Sequence, residues 1–340
     1  MTRVILTSLA VVAGLLLVGG CSAPRAAPSP NPTATAGAPT IPTELYVRAD
    51  TGVPTSLDRD AKVVATIGID GVALSGAGDA VSKLPANAAE LVAAAHARGL
   101  TAELLVSNYD AAKGEFSRAI ATAMLTSAER RGAVAAGLVA QVAAAGFDGV
   151  QIDFQSLTSD EAANLAAFTL QLRDLLGAPK SLTLAVTAES SAVRYLEAGY
   201  DLAMVTPLIS RVVLMAYDQH GTARSKPGPV GGISRATTAI DALLAAGVPS
   251  ARIDLGVAGY GDSWPGNGSD AKRLSVAESR TLAGDLARWD SEEAEWTATL
   301  PDDTVVWWSD ARSLSARRTL ALSRNLHGLA VWELSLTDPL

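Results

Sequence analysis

Cysteine is all but missing: the 340-residue chain has one, Cys21, so no internal disulfide is available and the fold must be held by its core. Histidine is nearly as scarce. His96, His220 and His327 are scattered, and without a Cys/His cluster a structural zinc site is not expected. Basic residues are outnumbered, 27 Lys and Arg against 35 Asp and Glu for a formal net charge of −8, and no basic stripe exists to neutralise phosphates. Nucleic acid is therefore not an expected partner. A glycine-rich phosphate loop is also lacking, since Gly68 and Gly71 do not make one, which argues against a doubly wound nucleotide-binding sheet. What remains is 49% hydrophobic and 18% charged, a composition for a large core, and α/β barrels reach this length as one domain. No cofactor and no metal are expected.

The N-terminus has the form of an address. Met1-Thr2-Arg3 is a short basic start, and residues 4–18 are an apolar run below the roughly 20 residues that span a bilayer. Small residues then precede Cys21. This resembles a bacterial lipoprotein signal, which implies that residues 1–20 are the signal peptide, that Cys21 is lipidated, and that the protein is an extracytoplasmic membrane lipoprotein; the alternatives are a secreted protein and an uncleaved anchor. Residues 21–42 are rich in Ala, Pro, Ser and Thr, with prolines at 24, 28, 30, 32, 39 and 42, a composition for a semi-extended tether. A globular domain is expected over residues 43–340.

That domain is organised around Gly146-Phe147-Asp148-Gly149-Val150-Gln151-Ile152-Asp153-Phe154-Gln155. On a strand, Val150, Ile152 and Phe154 share one side, while Gln151, Asp153 and Gln155 share the other. An Ala-rich helix over residues 129–145 leads into it and another over 159–176 follows, so the strand belongs to a helix-covered parallel sheet. Both faces of such a strand are normally apolar. Three buried polar side chains must find partners or cost about 1 to 3 kcal/mol each. A site at the mouth of a barrel reconciles these facts; an exposed strand with its polar side in water does not fit the flanking helices.

Further strands are predicted at residues 44–47, 62–70, 101–107, 182–187, 211–217, 252–257 and 328–332. Helices are predicted at 87–97, at 117–145 with a break near Thr126-Ser127, and at 234–246. Eight strands with helical crossovers predict an α/β fold, a (β/α)8 TIM barrel whose site lies at the strand C-termini. Two departures are expected: an insertion between the seventh and eighth strands over about residues 260–326, holding five tryptophans, and a missing eighth helix.

Several motifs resemble those of the family 18 glycoside hydrolases, in the spore-germination and cortex-lytic branch. The family's fourth-strand signature, Asp-Gly-x-Asp-x-Asp-x-Glu, is matched by Asp148-Gly149-Val150-Gln151-Ile152-Asp153-Phe154-Gln155. In order follow Leu214-Met215-Ala216-Tyr217-Asp218-Gln219-His220-Gly221, Pro227-Gly228-Pro229-Val230, Leu255-Gly256-Val257-Ala258-Gly259-Tyr260-Gly261, Trp307-Trp308-Ser309-Asp310-Ala311-Arg312-Ser313-Leu314 and Val331-Trp332-Glu333-Leu334. The resemblance implies a catalytic row of Asp148, Gln151, Asp153 and Gln155. It also implies substrate-binding residues Met215, Tyr217 and Asp218, with Trp332 under a sugar ring, and an N-acetylglucosamine-containing glycan, peptidoglycan or chitin-like, as partner.

The row is degenerate. Gln155 stands where the family has its proton-donating Glu, and a carboxamide carries no acidic proton near neutrality. Gln151 replaces the first Asp, which removes a like charge that would help hold a proton on Asp153. Asp70, Asp153, Glu189 and Asp218 are the carboxylates from which a substitute acid could come. The expected function is a surface-anchored, catalytically impaired glycan binder. The alternatives are an active hydrolase with a different acid and a protein-interaction scaffold. Tyr217 and Trp332 also have plain readings as core aromatics, Asp218 as a turn cap, and His220 as a loop residue bonded to its neighbours.

Overall fold

Period-2 strands alternating with capped helices close the chain into a ring of parallel strands. The computed structural model describes residues 41–49, 54–221, 226–267 and 269–340, all within the unit Thr40–Leu340. The expected signal segment, Cys21 and most of the tether lie outside the described residues. Strands follow in the order β1 (Thr43–Arg48), β2 (Thr66–Ala73), β3 (Thr101–Ser107), a small hairpin of β4 (Tyr109–Asp110) and β5 (Glu115–Phe116), β6 (Gly149–Asp153), β7 (Ser181–Thr187), β8 (Arg211–Met215) and β9 (Ile253–Ala258). Then come β10 (Gly261–Trp264), β11 (Lys272–Leu274), β12 (Arg288–Asp290), β13 (Glu295–Thr299), β14 (Val305–Trp308) and finally β15 (Gly328–Trp332). The closed barrel runs β1-β15-β9-β8-β7-β6-β3-β2, with every neighbouring pair parallel. This is the (β/α)8 TIM barrel that the strand count predicts.

Local chemistry sets the frame of the site strand. Ser127 caps the helix Ala128–Ala145 by accepting from the Arg130 amide, which is why the preceding helix breaks at Leu125. Gly146 ends that helix at φ 82°, a left-handed conformation that glycine adopts without strain, and the chain turns directly into β6. Beyond β6, Thr158 and Glu161 form a reciprocal capping box that starts the helix Ser159–Leu176. Leu165, Phe168, Leu172 and Leu176 of this helix are buried against the barrel.

Three expectations need correction. The second strand begins at Thr66 rather than near residue 62, because a short helix, Leu57–Asp60, and a turn closed by Val63 N donating to Asp60 O occupy those positions. The sixth strand ends at Met215, and Tyr217 and Asp218 leave the ladder with Asp218 at φ 51°. The inserted subdomain stops at Trp308. The helix Ala311–Ser323 packs on β9 and β15 and is the seventh crossover itself.

No helix follows β15 among the described residues. The seam is covered by Leu334, buried, and by Leu340, which packs on the same core as Leu57. The Leu340 amide donates to Asp60 Oδ1 at 3.0 Å, so the β1–β2 connection and residues 333–340 close the gap together.

The insertion is a five-stranded sheet ordered β11-β10-β14-β13-β12. Trp289, Trp296 and Trp308 are cross-strand neighbours; Trp296 stacks on Trp308 at 6.0 Å and meets Trp289 edge-on at 5.5 Å. Trp264 and Trp308 are buried, so they serve the subdomain's own packing. A buried ion pair ties this sheet to the barrel. Glu295, fully buried, accepts from the amides of Val230 and Gly231 and from Ser309 Oγ, and pairs with buried Arg317 at 3.2 Å. Arg317 also donates to the carbonyl oxygens of Gly231 and Ala294.

Removing one partner of such a pair strands the other charge in the interior. Arg317→Met is expected to lower the unfolding free energy by about 3 to 5 kcal/mol, measured by urea denaturation. An unchanged midpoint would show that the pair does not hold the insertion in place.

Candidate active site

The inward face of β6 rises through the barrel in layers. At the base, Arg211 donates to Glu103 Oε1 at 2.8 Å and to Asp254 Oδ2 at 2.7 Å, while His327 Nδ1 lies 2.6 Å from Asp254 Oδ1. Burial pushes the Glu44 carboxyl well above its usual range; the Glu103 charge adds to this and Arg211 opposes it. Gln151 lies in the next layer. Its Oε1 accepts from Tyr46 Oη at 2.7 Å and its Nε2 faces Glu44 Oε1 at 3.3 Å. Gly68 makes room for these side chains, since a Cβ there would lie 2.4 Å from the Tyr46 ring and 2.6 Å from Glu44 Oε1.

Asp153 and Gln155 form the top layer. Asp153 is buried, and its Oδ1 accepts from Gln155 Nε2 at 2.8 Å. The same Nε2 lies 3.5 Å from Met215 Sδ. Burial raises the Asp153 carboxyl to about 7; the hydrogen bond from Gln155 opposes this and the Asp70 charge adds to it. No acid at position 151 adds to this rise. Burial alone dominates, and Gln151 is turned toward Tyr46 and Glu44 instead.

Around these groups stand aromatics. Trp332, half-buried, lies 5.1 Å from Tyr46 between ring centroids, and both pack with Met215 and Tyr217. Burial, then the charges of Asp153 and Asp218, hold the Tyr217 phenol well above its ordinary range, so it is a hydrogen-bond donor near neutrality. Tyr217 and Trp332 also join Val230, Tyr260 and Trp307 in a second apolar cluster, which places one tryptophan of the insertion beside the mouth.

Other predicted residues fall elsewhere. Asp148 precedes β6 at the base, where its Oδ2 binds the Ala102 amide at 2.9 Å and His96 Nε2 at 2.8 Å; it is not at the mouth. Asp218 is on the rim, half exposed, and its Oδ1 accepts from Tyr260 Oη and Arg273 Nη2, both at 2.6 Å. Arg273 also pairs with Asp262 at 3.1 Å and covers the Tyr260 ring at 3.9 Å. Glu189 accepts from Thr187 Oγ1 and lines a separate side cleft of about 270 Å³ with Ser234 and Arg235. His220 Nδ1 lies 3.0 Å from the Lys226 carbonyl oxygen, a contact within its loop.

Asn108 and Arg273 are among the residues of the site that escaped the sequence reading. Asn108, fully buried, clamps residue 155 through its backbone: Nδ2 donates to Gln155 O and Oδ1 accepts from Gln155 N, both at 2.9 Å. Its position directly after β3, at the mouth end of a barrel strand, was the available signal. Arg273 had none, because it meets Asp218 only through the fold of the insertion. Among the described residues no group of three His, Cys, Asp or Glu side chains is arranged to hold a metal, and no helix is long and apolar enough to cross a membrane.

A parallel barrel with a polar and aromatic mouth at its strand C-termini defines a class, the TIM barrels that handle ligands through their βα loops. The family model for glycosyl hydrolases family 18 matches residues 78–336, and the chain belongs to that family. It is 30% identical over 234 residues to a Bacillus subtilis (strain 168) protein named as a sporulation-specific glycosylase, YdhD, covering 66% of this chain and 55% of that one. It is 28% identical over 211 residues to the cortical fragment-lytic enzyme of the same organism, covering 57% and 48%. The chain thus spans about half the length of the curated relatives it matches. A chitinase from Chromobacterium violaceum ATCC 12472 shares the fold with a TM-score of 0.77 and 24% identity, over 88% of this chain and 95% of that one.

The Asp153 carboxyl gives a signed prediction. Its folded value of about 7 lies above the ordinary 3.8, so the folded state binds its proton more tightly than the unfolded state. The resulting stability is complete below the ordinary value and is lost as pH rises through the folded one. Asp153→Asn is therefore expected to gain stability relative to wild type with rising pH, by up to about 1.4 kcal/mol per unit within that window. Denaturation of both proteins across the window checks this, and a pH-independent difference would contradict it.

Proposed function

We propose that this chain is a surface-anchored family 18 barrel that binds N-acetylglucosamine-containing glycan, peptidoglycan or chitin-like, with its hydrolytic power impaired. One observation carries the reading. At the position of the family's proton donor stands the amide of Gln155, whose Nε2 is engaged by Asp153 at 2.8 Å. An amide has no proton to deliver to a leaving oxygen, and loss of a general acid removes a factor of about 10² to 10⁴. The binding constellation is intact by contrast: Tyr217 offers a phenol, Trp332 an aromatic surface, and Asp153 and Gln155 polar groups for hydroxyls. The names of the curated relatives, a sporulation glycosylase and a cortical fragment-lytic enzyme, point to the same class of glycan.

A second reading, hydrolysis with Asp153 as the acid, is favoured by its carboxyl value of about 7, which suits a proton donor near neutrality. Product analysis separates the two. Long incubation with N-acetylglucosamine oligomers and peptidoglycan fragments, followed by mass spectrometry, is expected to show no new products, while calorimetry on the same ligands shows binding. Cleavage that Asp153→Asn abolishes would establish the second reading. Gln155→Glu alone is expected to restore little, and Gln151→Asp with Gln155→Glu to raise hydrolysis on the order of 10² over wild type. Wild type matching that double variant sinks the impairment.

Surface anchoring rests on Cys21 and the run before it. Labelled fatty acid is expected to be incorporated in a bacterial host and lost in Cys21→Ser. Equal incorporation by both would refute lipidation at that residue.

A further inference from the structure

The replacement at position 155 changes what the mouth asks of a ligand, beyond removing an acid. Where Asp153 is ionised, the Gln155 amide is held in one orientation. Its backbone is clamped on both sides by buried Asn108, and its Nε2 faces two acceptors, Asp153 Oδ1 at 2.8 Å and Met215 Sδ at 3.5 Å. Turned over, the amide would set Oε1 against an ionised carboxylate, acceptor against acceptor, with no proton between them. Nor does Gln151 offer Asp153 another partner, because its own amide is bonded to Tyr46 and Glu44.

Gln155 is only half-buried, and its Oε1 accepts no hydrogen bond among the described residues and is not sealed from solvent. That oxygen is the group presented to a bound ligand. A carbonyl oxygen needs a donor opposite it. The oxygen linking two sugars has no hydrogen, so an intact linkage at this point meets Gln155 acceptor to acceptor. A free hydroxyl there donates.

We infer that this mouth reads glycan ends rather than intact chain: the terminal N-acetylglucosamine sits over Trp332 with its free anomeric hydroxyl donating to Gln155 Oε1. The inference rests on the glycan-binding reading above and specifies its ligand, an oligosaccharide with an unblocked reducing end. Such ends are products of hydrolysis, so the reaction that supplies this ligand is glycan cleavage by another protein.

Calorimetry with three ligands tests it: the N-acetylglucosamine trimer, the same trimer blocked as its methyl glycoside at the reducing end, and the trimer methylated instead at the far terminal hydroxyl. Titrations run near pH 8, above the Asp153 value of about 7. The free trimer and the far-end ether are expected to bind alike, and the methyl glycoside roughly tenfold more weakly, the worth of one unmade hydrogen bond at a desolvated acceptor. In Gln155→Leu, which keeps the bulk and removes the acceptor, that preference is expected to vanish.

Equal affinity of wild type for all three ligands overturns the inference. So does a preference that persists in Gln155→Leu, since it would then arise from the added methyl group and not from Oε1. The comparison within wild type stands even where the variant fails to fold. Absence of binding by every ligand overturns the glycan-binding reading itself, and the inference with it, whereas equal binding removes only the preference for ends.

Discussion

The structure depends on one constraint: every polar group that β6 turns into the barrel must be satisfied inside it. The usual filling of such a barrel is branched aliphatic side chains. Here the lower layers are built from Glu44, Glu103, Arg211 and Asp254, with Gln151 and Tyr46 above them. Charges taken out of water must be paired, and a single Arg211 at the centre of three carboxylates does most of that pairing. The glycine at position 68 follows from the same demand, since the Tyr46 ring occupies the space of its missing side chain.

The two amides change the chemistry of the mouth in different ways. At position 151 the amide is turned down the barrel and stitches β6 to β1. At position 155 it is turned sideways to Asp153, with its backbone fixed by Asn108. Asp153 keeps a raised carboxyl value without a neighbouring acid on its own strand, because exclusion of water outweighs the hydrogen bond it accepts. A site can thus lose its proton donor and still hold its remaining groups in place.

The insertion bears on the mouth through two connections. Asp218 leaves β8 in a left-handed conformation and is met there by Tyr260 and Arg273, so the rim of the barrel and the added sheet share one ion-pair network. Deeper, Glu295 and Arg317 fix residues 230 and 231. Val230 in turn packs against the cluster that holds Tyr217 and Trp332. The tryptophans divide accordingly: Trp264 and Trp308 fill the subdomain, and Trp307 packs in the cluster with Tyr217 and Trp332.

By itself the sequence determined the barrel and the row at its centre. Period-2 alternation placed Gln151, Asp153 and Gln155 on one face, Gly146 and Ser127 marked the helix ends, and ordered motifs identified the family, because each of these signals lies within a few neighbouring residues. Two amides in place of acids were equally plain, since side-chain chemistry needs no coordinates. Only the tertiary structure decided that Asp148 sits at the base, that Gln151 answers Glu44 rather than Asp153, and that Asp218 belongs to Arg273. The partners within these last contacts lie 107 and 55 residues apart in the chain. Hydrogen bonds and ion pairs are made across space between elements that folding brings together, so the state of each polar group is set by neighbours that its own stretch of sequence does not name.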